Sequence, residues 1–325
     1  MLKKIILIII IIIALFIVAR FIRFKNQMVY GVSFNSQYAR YLGLDPAKVY
    51  TALFEKWHFK YIRLSAQWNA IETADGQYDF GELDRQMDEA ARQGAKISLA
   101  LGQKTPRWPE CHAPAWTAPL TDEQYYTKLH KFMAVVVNRY RDHTALEIWQ
   151  VENEAFLPFG VSCRPFTPAL LADEIALTRS LDTAHRILIT DSGELSSWRL
   201  TARAGDLFGT TMYRVVWTKS FGYFNYDWLP AIFYRAKLFF NGRSVDQAFV
   251  AELQAEPWIP DNNLLDTPLA EQYQSMNIKR LQTNLDFAAS TGMPRAYLWG
   301  VEWWYWLETR GETAISEVVK SVKKF

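Results

Sequence analysis

Cysteine is scarce: the 325 residues hold two, Cys111 and Cys163. Two thiols allow no zinc or iron–sulfur ligand spacing, so no metal and no cofactor is expected. A surplus of one charge is also missing. Thirty-six Lys and Arg stand against 34 Asp and Glu, so nothing points to nucleic acid as a partner. No Gly-rich phosphate loop follows any strand-like run. There is no internal repeat, low-complexity tract or Pro/Gly-rich linker. These absences leave one domain behind one leading segment.

That segment carries the long hydrophobic run, Ile5 to Ala19, with Lys3 and Lys4 before it and Arg20, Arg23 and Lys25 after it. A cleavable signal ends in small residues of the Ala-x-Ala type. Val18-Ala19-Arg20-Phe21 offers no such site. Residues 1–25 are therefore expected to be an uncleaved signal anchor, a single membrane helix. Residues 26–325 are expected to be a domain outside the cytoplasm, secreted if the segment is cleaved. The run is shorter than the about 20 apolar residues of a usual span, but flanking Lys and Arg can snorkel to the interface. Basic residues on both sides set the orientation only weakly.

From residue 29 onward, apolar strand-like runs alternate with amphipathic stretches. The runs are Val29 to Phe34, Lys60 to Ser65, Lys96 to Leu101, Leu146 to Glu154, Ile187 to Thr190, Asp206 to Tyr213, Ala248 to Glu252 and Arg295 to Gly300. Helices are predicted over about 45–57, 122–141, 168–183, 231–240, 268–290 and 312 to the end, with a helix face at Leu83, Met87, Ala90 and Ala91. Eight strands alternating with helical segments argue for parallel strands joined by crossover helices. Barrel closure, a (β/α)₈ TIM barrel, is the first choice. A doubly wound open sheet is the alternative.

Two of the runs end in carboxylates, at Asn153-Glu154 and at Glu252. Acids delivered at the C-terminal ends of barrel strands read as catalytic, and a facing pair is the minimum for breaking a glycosidic bond. The chain resembles the clan A retaining glycoside hydrolases, the superfamily of family 5 cellulases and family 42 β-galactosidases. The resemblance rests on Asn153-Glu154 after strand four and Glu252 on strand seven. It also rests on Trp68-x-x-x-Glu72, Gly76-x-Tyr78-x-Phe80 and Leu83-Asp84 after strand two, and on Thr105-Pro106-Arg107-Trp108 after strand three. It spans about residues 30–306.

The resemblance implies that Glu154 is the acid/base and Glu252 the nucleophile, with Glu256 as competitor. It also implies that Arg63 and Tyr213 support the nucleophile and that Asn153 holds the sugar 2-hydroxyl. Trp299 would floor the reacting subsite, and Trp68 and Trp108 join the substrate-binding set. The metal-binding cysteines of some family 42 enzymes have no counterpart here, so no zinc is carried over. The implied activity is retaining hydrolysis of β-glycosidic bonds in an oligo- or polysaccharide. A non-catalytic carbohydrate-binding barrel and a transglycosidase using the same residues are the alternatives.

Other residues stay open at this level. Thirteen Trp, 16 Tyr and 20 Phe suit a large aromatic core or sugar stacking. Lys104, Arg107, Glu110 and His112 follow strand three as substrate contacts or as a solvated loop. Glu302, Trp303 and Trp304 follow strand eight, and Asp191 and Glu194 follow strand five without an assigned role. Cys111 and Cys163 lie in adjacent loops at the top of a barrel, where a disulfide can form. Phe221 to Trp228 reads as a top-face loop walling the cleft. The partners expected are a carbohydrate and, through the N-terminal helix, a membrane, with the protein a monomer.

Overall fold

The computed structural model describes residues 22, 24, 27–161, 163–260 and 263–322. Eight strands form the centre: β1 (Val29–Ser33), β2 (Tyr61–Ser65), β3 (Lys96–Leu101), β4 (Leu146–Val151), β5 (Arg186–Asp191), β6 (Leu207–Met212), β7 (Ala248–Gln254) and β8 (Arg295–Trp299). Each pairs in parallel with the next, and β8 closes on β1. The expected (β/α)₈ barrel is therefore observed. Most strand residues are buried on both faces, which is why the runs read as apolar without strict alternation.

Parallel neighbours need crossovers, supplied by outer helices at Pro46–Glu55, Gly81–Arg92, Asp122–Tyr140, Pro168–Leu181, Ala231–Phe240, Ile278–Ala289 and Ala314–Ser321. Local chemistry starts several of them. The Asp45 side chain accepts from the Ala47 and Lys48 amides ahead of Pro46, and Thr121 with Gln124 forms a capping box. One large apolar cluster fills the layer between helices and sheet. A second takes one residue from each of five strands, Ile148, Leu188, Leu207, Phe249 and Tyr297, and plugs the barrel axis. Above that plug the interior turns polar, with Arg63, Gln150 and Thr190 buried.

Four features depart from the expectation. Between β5 and β6 the chain crosses in turns over residues 192–206, with no helix. Ser192, Gly193, Ser196, Ser197 and Gly205 disfavour one. Trp198, fully buried against Phe208 and Tyr234, covers the sheet there instead. The long helix over 268–290 is two, Leu269–Ser275 and Ile278–Ala289, because Asn277 caps a new start by accepting from the Arg280 amide. Part of the top-face loop is an antiparallel hairpin, Val215–Thr218 with Gly222–Asn225. Finally, Glu302, Trp303 and Trp304 belong to a buried helix, Val301–Glu308, that follows β8 directly.

Apart from Ile22 and Phe24, the predicted anchor over residues 1–25 lies outside the described residues. Among those described, no helix is long and apolar enough to cross a membrane. The Phe24 amide donates to the Ser290 carbonyl (3.0 Å), and Arg235 stacks on the Phe24 ring at 3.9 Å.

Candidate active site

Glu252 does not close its strand; it sits two residues inside β7. A bulge presents it there. Against β6, Thr210 faces Val250 and Thr211 faces Glu252; against β8, Ala296 faces Val250 and Leu298 faces Leu253. Strand β7 thus carries one extra residue relative to both neighbours, a device that re-aims side chains beside active sites. The Glu252 carboxylate accepts from Arg63 Nη1 (2.8 Å) on one oxygen and from the Tyr213 hydroxyl (2.8 Å) on the other. Its side chain and that of Arg63 are almost wholly buried.

Glu154 follows β4 after a sharp turn in which Glu152 and Glu154 both adopt positive φ, 58° and 45°. Such strain in non-glycine residues gathers at functional sites. The turn is stitched down by its neighbours. The Glu152 carboxylate accepts from the Gln103 (2.6 Å) and Lys104 (2.8 Å) amides, and the Glu154 amide donates to Thr190 Oγ1 (3.0 Å). Gly102, at φ 129°, makes room for the Glu152 carboxylate, which a Cβ there would meet at 2.2 Å. Lys104 Nζ donates to the Glu154 and Leu157 carbonyls (3.2 and 3.0 Å).

The Glu154 carboxyl accepts from Thr211 Oγ1 (3.0 Å). Its pKa is pushed well above the usual glutamate range, first by burial and then by the negative charges of Glu252 and Glu110. A neighbour whose pKa is raised, beside Glu252 held by two donors, makes a donor–nucleophile pair possible.

Asn153 links the two. Its Oδ1 accepts from Arg63 Nη2 (2.8 Å) and Thr190 Oγ1 (3.1 Å), and its Nδ2 donates to Glu110 Oε2 (3.0 Å). Arg63 also donates through Nε to Gln150 (2.7 Å). One guanidinium therefore fixes residues from β4 and β7 together.

Tyr213, which donates to Glu252, also lines a cleft of about 470 Å³ together with Tyr38, Arg107, Trp108, Glu110 and Trp299 among others. The competitor Glu256 lies on another part of it. It pairs with Arg107, which also holds Glu302 (2.9 Å), and accepts from Trp299 Nε1 (2.8 Å). The Arg107 guanidinium sits over the rings of Tyr38 (3.8 Å) and Trp299 (4.3 Å). Glu302 is buried, which raises its pKa to about 7 even with Arg107 opposing.

The structure thus gathers Glu154, Glu252, Asn153, Arg63, Tyr213, Trp299 and Trp108 at one end of the barrel. Trp68 is elsewhere. It starts a one-turn helix, Trp68–Ile71, that turns its ring inward. Fully buried, it packs on Phe132, Trp116 and Tyr125 and donates to Glu72 (2.6 Å). His112 is buried too, with its pKa lowered to about 4 by burial, and one ring nitrogen lies 3.0 Å from the Arg107 carbonyl.

The expected cleft wall at Phe221 to Trp228 is replaced by Trp108, Phe159 and Trp258, whose rings contact one another in series down to Tyr213. Tyr223 instead donates to Glu271 (2.7 Å). Cys111 and Cys163 are joined by a disulfide, Cα atoms 5.3 Å apart. Among the described residues no group of three or more His, Cys, Asp or Glu is placed to hold a metal ion.

Sequence reading alone missed the arrangement of Glu110, Glu256 and Glu302 around Arg107 and Asn153. The clustering of Lys104, Arg107, Glu110 and His112 after β3 was its one visible sign.

Comparison with known proteins bears on this geometry. The sequence pattern of the family described as "Beta-galactosidase" matches residues 47–118. A β-galactosidase of Arthrobacter sp is 34% identical over 111 residues, covering 27% of this chain and 15% of that one. The chain thus spans a small part of that relative's length. Among solved structures, a GH5_18 protein of Bifidobacterium longum subsp. infantis matches with TM-score 0.60 and 15% identity over 92% of this chain and 80% of the other. Xylanase 10B of Thermotoga petrophila RKU-1, solved with xylobiose, matches with TM-score 0.52 and 15% identity over 83% and 82%. At such identities the structural likeness is one of fold. Sequence match and shared barrel together bear out the resemblance to the clan A glycoside hydrolases.

Proposed function

We propose that this chain is a retaining glycoside hydrolase acting on β-glycosides, with Glu252 as nucleophile and Glu154 as acid/base. The observation that carries the reading is the pair itself. One buried carboxylate is held by an arginine and a tyrosine, and the charge of that carboxylate, after burial, raises the pKa of a second. In the first step Glu252 attacks the anomeric carbon, the glycosidic C–O bond breaks, and the Glu154 proton passes to the leaving oxygen. In the second step Glu154 takes a proton from water. The water oxygen then bonds to the anomeric carbon and frees Glu252. Trp299 and the Trp108–Phe159–Trp258 series supply apolar faces for sugar rings.

The substrate is proposed to be a β-linked galactoside or xyloside, in keeping with the relatives' names. A disulfide persists in an oxidising compartment, which supports a barrel that works outside the cytoplasm. The test is turnover of nitrophenyl β-glycosides with the product anomer followed by proton NMR. The β-anomer should appear first, and Glu154→Gln and Glu252→Gln should each remove most turnover. First appearance of the α-anomer, or near-normal rates in either variant, would refute the assignment.

A further inference from the structure

A third carboxylate reaches the reacting centre, and the double displacement has no step for it. Glu110 is buried, lines the cleft and meets the same Asn153 amide that touches Arg63. The amide's orientation is settled by its partners. A guanidinium only donates, so the atom facing Arg63 is Oδ1, and Gln150 Nε2 (3.3 Å) donates to that same oxygen. The Nδ2 group therefore points at Glu110, which itself lines the cleft.

The loop is built to hold Glu110 there. Lys104 and Cys111 pair as a bridge, Thr105 N donates to the Glu110 carbonyl (3.1 Å), and Glu110 N donates to the Arg107 carbonyl (2.8 Å). Glu110 adopts φ 73°, a conformation glutamate rarely takes unless its surroundings impose it. The next residue, Cys111, is tied by the disulfide to Cys163 in the loop after β4. That loop also touches down directly. Val161 N donates to the Pro109 carbonyl (2.9 Å), and at Gly160 a Cβ would come within 2.8 Å of Glu110 Cβ.

Resting on the glycosidase reading above, we infer that Glu110 and Asn153 together grip the C2 hydroxyl of the sugar in the reacting subsite, selecting glycosides in which that hydroxyl is free. A hydroxyl is both acceptor and donor. Asn153 Nδ2 can donate to its oxygen, and its hydrogen then needs an acceptor, which the Glu110 carboxylate provides. A 2-deoxy sugar leaves both groups unpaired. A 2-O-alkyl sugar offers no hydrogen, and a 2-O-sulfate sets charge against charge. The carboxylate thus acts by contact with substrate and takes no part in bond cleavage.

The experiment is a two-by-two comparison. kcat/KM is measured for wild type, Glu110→Ala and Glu110→Gln on the nitrophenyl β-glycoside that wild type cleaves best and on its 2-deoxy analogue. Losing a hydrogen bond to a charged group should cost Glu110→Ala about 10- to 100-fold on the hydroxylated substrate, and less than about 3-fold on the 2-deoxy one. Glu110→Gln keeps an acceptor oxygen and should fall between. Equal losses on both substrates would overturn the inference and make Glu110 a support for its loop. Thermal melts accompany each variant, and if Glu110→Ala does not fold the comparison is read from Glu110→Gln.

Should wild type turn over no glycoside, the hydrolase reading fails separately. The grip is then read from tryptophan fluorescence during titration with D-galactose, D-glucose, D-xylose and their 2-deoxy forms. Tighter binding of a hydroxylated sugar that disappears in the Glu110 variant supports the inference. Affinities that do not depend on the C2 hydroxyl overturn it.

Discussion

Tyr213→Phe deletes one oxygen and isolates one contact. The Tyr213 hydroxyl donates to Glu252 Oε2 at 2.8 Å, and the ring packs edge-on against Trp258 at 5.3 Å between centroids. The variant keeps the ring contact and loses the donor. A hydrogen bond to a charged group contributes about 1.5–3 kcal/mol, so kcat/KM should fall roughly 10- to 150-fold. Stability should change little, because Arg63 still neutralises Glu252 through its 2.8 Å contact. Arg63→Met provides the contrast. It strands a buried carboxylate, costs about 3–5 kcal/mol of stability and lowers the melting temperature visibly. Initial rates on a nitrophenyl β-glycoside and circular-dichroism melts read both effects. If Tyr213→Phe keeps kcat/KM within about 3-fold of wild type, where a charged hydrogen bond should give more, the hydroxyl does not support the nucleophile.

Three further outcomes follow from other parts of the molecule. Neither Glu174 oxygen meets a donor among the described residues, and burial, then Glu152, pushes its pKa well above the ordinary 4.5. Above 4.5 the native state holds a proton that the unfolded chain has released, so stability falls as pH rises, and Glu174→Gln removes that slope. Its melting temperature should gain on wild type more at pH 8 than at pH 5, and an equal difference at both would contradict this. The Cys111–Cys163 bond closes a 52-residue separation, so the double Ser variant should lose about 2–4 kcal/mol of stability. Two free thiols titrated in unreduced, denatured protein would refute the bond. Trp108, 52% exposed at the outer end of the aromatic series, should bind remote sugar units. Trp108→Ala should raise KM for oligosaccharides more than for aryl monosaccharides, and equal effects would count against a remote subsite.

The barrel was legible because parallel strands buried on both faces must be apolar, and Leu146 to Val151 and Ala248 to Gln254 show that directly. Glu154 and Glu252 stood out as acids attached to such runs. The extra residue near Ala251 was not legible, since a bulge is a difference in register between strands and leaves no mark in one strand's composition. For the same reason the separation of Glu252 from Glu256 needed the fold. Only there does one face Arg63 and Tyr213 while the other faces Arg107 and Trp299. Trp68 misled because a motif places a residue along the chain but does not say which way its helix turns the ring. Glu110 was visible as a loop charge, and its meeting with Asn153 depends on two loops locked by Cys111–Cys163.

The central claim is that Glu252 forms a covalent bond to the sugar. It is tested most directly by incubating the protein with activated 2-deoxy-2-fluoro β-glycosides and mapping the labelled peptide by mass spectrometry. The account predicts one added sugar per chain, located on Glu252, and no label after Glu252→Gln. A label on Glu256 or Glu154, or inhibition without any covalent adduct, would contradict it.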